Sequence, residues 1–243
     1  VKVAVIGGGV MGCAAALALA KRGAEVTVLE RAVPGAEASS AAAGILGAQV
    51  ESHSEGAMLA TFVRARAAYP AWADELRAET GIDVGYRASG VLRVGRTEAE
   101  HEGIRRDVTW QRAEGLRAEL LDGRGARQVE PELSQEVSSA AYFPDDAQVD
   151  PKALLRALIL AVARAGVTVR SGSTVQRLLV EQGRCVGAAL DDGDVHANAT
   201  VLAAGSWSSL VAGADVPKVR PVRGQMILLE ERPPAVRTVV VGA

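Results

Sequence analysis

Val3-Ala4-Val5-Ile6-Gly7-Gly8-Gly9-Val10-Met11-Gly12 decides how the rest of this chain reads. Val3 to Ile6 is a short apolar run of the kind a buried parallel strand needs. It enters three consecutive glycines, and an Ala/Leu-rich helical stretch, Cys13 to Lys21, comes after them. Gly23 ends that helix, and Val26-Thr27-Val28-Leu29 forms a second strand closing on Glu30. The spacing Gly7-x-Gly9-x-x-Gly12 fits a dinucleotide fingerprint. Gly7 allows the tight turn, Gly9 lets backbone approach a pyrophosphate, and Gly12 lets helix and sheet pack closely. N–H groups at the helix start, from Val10 and Met11 onward, face the anion. An acid eighteen residues past the last glycine, Glu30, can accept from an adenosine ribose. The string alone is weak evidence; between two strands and with that acid after it, it outweighs a merely structural glycine turn.

Length and composition narrow the classes open to the chain. A chain of 243 residues holds a substantial core and points to two domains. A net charge of -2 gives no electrostatic case for nucleic acid or an anionic membrane. Two cysteines, Cys13 and Cys185, make neither a metal spacing nor a disulfide framework, which suits the cytosol. Val1 to Ala20 is apolar enough to imitate a signal peptide, but its glycines and the strand after it argue against one. No later stretch reaches the roughly 18 apolar residues of a membrane span.

Ser39-Ser40-Ala41-Ala42-Ala43-Gly44-Ile45-Leu46-Gly47 comes after the Pro34-Gly35 turn. Its small residues suit close contact with a flat group, in preference to a tightly packed helix start. Ser39 and Ser40 fit N-caps or phosphate donors. Met58 to Thr80 is helical, and Phe62, Tyr69, Trp72 and Leu76 make a core stripe; Pro70 should divide or kink it. Val84 to Val94 suggests short strands, with Leu92 and Val94 on one face. Thr97 to Glu119 reads as exposed helix, Glu130 to Leu133 as a turn and short helix, and Val137 to Phe143 as a strand. His53, between two acids, reads as part of a solvated loop, and His101 as a surface residue.

Asp150-Pro151 caps and opens a helix whose buried face is Leu154, Leu155, Leu158, Ile159 and Val162. Val167-Thr168-Val169 then repeats the Val-Thr-Val of the second strand and should join the same parallel sheet. Val175 to Val180, Cys185 to Leu190 and Val195 to Ala197 form an antiparallel meander with turns at Gly183 and Asp191-Asp192-Gly193. Thr200 to Gly205 is another buried strand ending on small residues. Arg220 and Arg223 can neutralise phosphate or line a domain junction, ahead of a strand at Met226 to Leu229.

These strings together resemble the flavin-dependent D-amino-acid oxidase superfamily, in its glycine oxidase-like branch of thiamine biosynthesis. The motifs are VAVIGGGVMG at 3–12, VTVLE at 26–30, SSAAAGIL at 39–46, DAQVDPKAL at 146–154, VLAAGSWS at 201–208 and RPVRGQM at 220–226. The resemblance implies an α/β fold: a Rossmann-like FAD-binding domain with a discontinuous α+β substrate domain, incomplete in this chain. The cofactor domain would take 1–84 and 145–218, and the substrate domain 85–144 and 219–243. FAD would be held by Gly7, Gly9, Val10, Met11, Gly12, Glu30, Arg31, Ser39, Ser40, Ala43 and Gly44. Leu46 would lie near the flavin ring, Val175 on the adenine side, and Ala204 and Gly205 along the ribose and pyrophosphate. No metal is implied.

Members of the superfamily oxidise an amine by hydride transfer from the alpha carbon to flavin N5, and yield hydrogen peroxide. The resemblance therefore implies a small amino-acid or amine substrate and oxygen as acceptor. A dehydrogenase of the same fold and a sarcosine-oxidase-like enzyme are its nearest alternatives. Such enzymes run longer, and their substrate-clamping arginine and tyrosine would fall beyond Ala243, so the chain reads as truncated and no catalytic residue is assigned. A non-enzymatic alternative is a nucleotide-binding subunit that needs a complementary C-terminal chain; a homo-oligomer is the other assembly considered.

Overall fold

The structure, a computed structural model, describes residues 1–230 and 236–243. In chain order it runs β1 (Lys2–Ile6), α1 (Val10–Ala20), β2 (Glu25–Glu30), α2 (Ala38–Ala41), β3 (Ile45–Leu46) and α3 (Ala57–Thr80). Next come β4 (Val91–Gly95), α4 (Glu98–Ala113), β5 (Glu119–Asp122), α5 (Gly123–Val129), β6 (Ser139–Phe143) and β7 (Ala147–Gln148). The chain then forms α6 (Pro151–Arg164), β8 (Thr168–Ser171), β9 (Val175–Glu181), β10 (Arg184–Leu190), β11 (Gly193–His196) and β12 (Ala199–Leu202). A 3₁₀ helix (Gly205–Leu210) and β13 (Val239–Gly242) come last.

Two compact units divide these elements. The first takes residues 1–42, 75–84 and 151–226, and the second 43–74, 85–150 and 227–243. The lines differ from the expected cofactor and substrate segments. Residues 43–74 and 145–150 group with the second unit, which holds the β3–β7 pair, and 219–226 with the first.

The first unit is built on a parallel sheet in the order β12-β1-β2-β8. Alternation along β1 explains its layers. Ala4 and Ile6 face a cluster with Leu29, Ala188 and Leu190, so the β9-β10-β11 meander covers that side. Val5 faces the other way, toward α1, where α6 also packs. The α6 face is Leu154, Leu155, Leu158, Ala161 and Val162; Ile159 is only half-buried. Complete burial of a residue such as Leu158 contributes about 1.5–3 kcal/mol. The repeated Val-Thr-Val strings lie side by side in register, Thr27 opposite Thr168 and Val28 opposite Val169.

The second unit carries a sheet ordered β13-β4-β6-β5. Leu92 and Val94 share one face, packed with Ala126 of α5, while Val91 joins Ile104 and Val108 of α4 on the other. Four expectations need correction here. The Thr97–Glu119 region is not simply exposed: α4, held by a Thr97–Glu100 capping box, buries Ile104, Asp107, Val108 and Gln111. Its charged majority hides one apolar stripe. Of the two outcomes expected at Pro70, division does not occur: α3 runs on through it. Phe62 at the start of the expected stripe is 38% exposed, and of its four residues only Leu76 is fully buried. Met226 to Leu229 is no strand; its side chains are 61–83% exposed. Apolar composition gives a segment strand propensity, but a strand needs a neighbouring backbone, and here β13 takes the place beside β4.

Candidate functional site

β1, β2 and β12 end level, with Ile6 opposite both Leu29 and Leu202. The connection from β1 to β2 leaves toward one side of the sheet while β12 sits on the other. Gly7 and Ala203 therefore lie side by side at the sheet's switch point, beyond the carboxyl ends of the strands. The Gly7 amide donates to Leu29 at 2.9 Å, and the Ala203 amide to Ile6 at 2.8 Å. Gly7 has φ of +105°, and a Cβ there would stand 2.4 Å from the Ala203 carbonyl oxygen.

α1 starts at Val10 without a capping side chain of its own, since its N-cap is Gly9. Ser39 supplies part of the cap from a distance. Its Oγ accepts from the Val10 amide at 3.0 Å, across 29 residues of sequence. Ser39 thus serves α1 and not the short helix it sits in, whose own N-cap is Glu37. Ser40 turns back and donates to the Glu37 carbonyl at 3.1 Å. Among the described residues no acceptor meets the N–H groups of Gly9, Met11 and Gly12. Amides without acceptors at a helix start are the arrangement that suits an anion.

Glu30 lies beside this array. Its Oε2 accepts from the Gly8 amide at 2.8 Å and its Oε1 from the Ala32 amide at 2.9 Å. A carboxylate has about four acceptor positions, so two remain for hydroxyls. Arg31, the next residue, lies 3.9 Å over the Trp207 ring and pairs with Glu37 at 2.5 Å. Sequence reasoning misses that stack, because Trp207 reads there only as part of a helix start. Ala204 caps the 3₁₀ helix, and Gly205 opens it with φ of +54°. Val175 begins β9 at the border of the Ile6 cluster.

Ala43, Gly44 and Leu46 belong to the second unit. The Gly44 carbonyl accepts from Val149 at 2.9 Å, and Leu46 pairs with Ala147. Arg220 and Arg223 are exposed on an irregular stretch. His53 is 62% exposed, with Nδ1 3.6 Å from Asp107.

Cys13, near the start of α1, is buried and donates to the Gly8 carbonyl at 3.4 Å. Burial, helped by the charge of Glu30, pushes its pKa up to about 11. Roughly one such thiol in a thousand is ionised at pH 8. Cys13 should therefore resist iodoacetamide in the folded protein, while half-buried Cys185 reacts first. Mass analysis after timed alkylation reads this directly, and equal labelling of the two would contradict it. Cys13→Ser should keep its cofactor.

The cradle fits a dinucleotide: two backbones meet where a Cβ would clash, amides at the helix start have no acceptor among the described residues, and an acid with spare acceptors stands alongside. Comparison with known proteins says which kind. The model of the FAD dependent oxidoreductase family matches residues 2–241. The chain belongs to that family. FAD is the family's cofactor. Among relatives of this FAD dependent oxidoreductase chain, the glycine oxidase of Geobacillus kaustophilus is 36% identical over 244 residues, covering 98% of this chain and 64% of that protein. The bifunctional protein ThiO/ThiG of Nostoc sp. is 37% identical over 228 residues, covering 93% and 34% respectively. A crystal structure of the Geobacillus kaustophilus glycine oxidase matches with a TM-score of 0.81 and 36% identity, over 86% of this chain and 57% of that one. The chain thus spans less than two thirds of the length of these relatives. Among the described residues no helix is long and apolar enough to cross a membrane.

Proposed function

We propose that this protein binds FAD across the Gly7–Gly12 turn and serves oxidation of the amine of glycine or another small amino acid. The carbon–nitrogen bond loses two hydrogens to become an imine, and oxygen takes up the electrons as hydrogen peroxide. The observation that carries the reading is the set of unpaired amides at the start of α1, beside Glu30, in a chain whose relatives include glycine oxidases. In this reading Gly9, Val10, Met11 and Gly12 hold the pyrophosphate, with Ser39 supporting the Val10 amide. Glu30 receives the ribose hydroxyls, and Arg31 with Trp207 walls that end. Ala204, Gly205 and Val175 line the nucleotide side, and Ser40, Ala43, Gly44 and Leu46 run toward the flavin. FAD, once bound, supplies the two-electron chemistry, and the protein orients substrate and excludes competing reactions. The similarity to ThiO/ThiG proteins makes thiamine biosynthesis in the cytosol the proposed setting.

The test begins with the flavin. Protein from the whole gene should release a cofactor absorbing near about 370 and about 450 nm. Peroxide should then form with glycine, sarcosine or D-alanine. Recovery of NAD instead would end the flavin reading. Flavin reduction by glycine without peroxide, but with transfer to a quinone, would favour a dehydrogenase. Measuring the 243-residue chain itself shows whether its own residues suffice.

A further inference from the structure

β2 and β12 are not neighbours in the first unit's sheet, because β1 runs between them. Strands in a sheet lie about 4.8 Å apart, so the exits of β2 and β12 stand about 10 Å from each other. Two side chains meet across that separation. Arg31 comes directly after β2, and Trp207 lies in the 3₁₀ helix after β12. The guanidinium carbon is 3.9 Å from the centre of the indole ring. The Gly7 turn leaves β1 between these two exits.

The rim of the guanidinium is held as well. Its Nη2 donates to Glu37 Oε1 at 2.5 Å. Glu37 is the N-cap of α2, yet its side chain caps no amide there. Two residues on, Ser39 accepts from the Val10 amide at the start of α1. Contacts therefore run from the 3₁₀ helix through Arg31 to α2 and on to α1, all within the first unit.

A long arginine side chain loses rotamer freedom when it is fixed, and this opposes the contact. One partner alone does little against that cost. The Arg31 and Glu37 side chains are 40% and 52% exposed, a setting in which ion pairs contribute little. An exposed cation–π contact is also modest. Acting together, the indole fixes the plane of the guanidinium and Glu37 fixes its rotation within that plane. The next residue back, Glu30, makes its own bonds to the Gly8 and Ala32 amides.

We infer that Trp207 and Glu37 are positioning residues that hold Arg31 as a strap across the Gly7 end of β1, and that this strap slows the release of FAD. The inference rests on the FAD reading above, in which Glu30 receives the ribose and the strap adjoins the adenosine half. It adds to that reading two residues that act through Arg31.

The experiment uses the whole protein, purified with its flavin, and follows the rise in flavin fluorescence as FAD leaves after dilution. Trp207→Leu should release FAD about 2- to 5-fold faster, the effect of one exposed cation–π contact, with Arg31→Ala at the upper end. Glu37→Gln should act in the same direction, and its effect should shrink at high salt, where the pair it removes is already screened. Two further variants separate a strap from a merely structural contact. In the Arg31→Ala background, Trp207→Leu should add nothing, since it acts only through Arg31. Trp207→Phe keeps a ring face and should recover most of the wild-type rate. Arg31 and Glu37 are exposed and Trp207 is half-buried, so these changes leave the core intact, and circular dichroism checks it. Wild-type release rates in Trp207→Leu and Arg31→Ala, or additive effects in the double variant, would overturn the inference while the cofactor reading stands. Wild-type protein that neither carries nor takes up FAD would overturn both.

Discussion

Gly12→Val is expected to abolish FAD retention. A Cβ at this position would lie 1.9 Å from the Gly7 carbonyl oxygen and 3.5 Å from the Val5 side chain. The first distance is far inside any contact, and the obstacle is backbone that cannot rotate aside. Relief requires α1 to lift off the β1 end, and this displaces the amides of Met11 and Gly12. Both partners of the close approach are part of the cradle, so the change reaches the site by geometry and removes no functional group. Titration of apo-protein with FAD, monitored by flavin fluorescence, should show a loss of at least about 100-fold. Circular dichroism of the same variant separates this loss from unfolding. Wild-type FAD affinity in Gly12→Val would refute the proposed location of the pyrophosphate.

The parts of this molecule that are legible in sequence are those written in local periodicity. β1, α1 and β2 derive from an apolar run, three glycines and an Ala/Leu stretch, each read within a few residues of itself. The twin Val-Thr-Val strings signal that β8 joins β2, since equal apolar strands behind equal turns tend to enter one parallel sheet. What lies outside reach depends on pairs far apart in the chain. Arg31 meets Trp207 across most of the sequence, and neither residue type announces a partner. Asp146 reads in sequence as punctuation before a helix, yet its carboxylate serves amides 96 and 97 residues away. Ser39 reads as a cap or a phosphate donor, and its hydroxyl takes an amide of α1, a helix it does not belong to. Met226 to Leu229 shows the opposite failure. Its composition suits a strand, but strand formation is decided by a neighbouring edge that composition does not contain.

Glu30→Ala is the second large effect expected, and it acts by removing bonds where Gly12→Val acts by adding bulk. The Glu30 carboxylate already organises the turn through Gly8 and Ala32. In the FAD reading its remaining acceptor positions take the ribose hydroxyls. A hydrogen bond to a charged group is worth about 1.5–3 kcal/mol, so losing the ribose contact alone weakens FAD binding by about 10- to 100-fold. Loss of the Gly8 and Ala32 acceptors adds disorder in the turn, so the upper end is expected. Glu30→Gln separates the two contributions. Its amide oxygen can still accept from one backbone N–H, but its NH₂ group opposes the other, so affinity should fall between wild type and Glu30→Ala. Cys13 gives an internal check on the charge. Burial is the larger cause of its raised pKa and Glu30 the smaller. Glu30→Ala should therefore speed Cys13 alkylation only slightly if the fold is intact, whereas a collapsed turn would expose the thiol and speed it greatly. FAD titration and timed alkylation on the same three proteins read both effects. Unchanged affinity in Glu30→Ala would remove Glu30 from the site, whatever the alkylation rate.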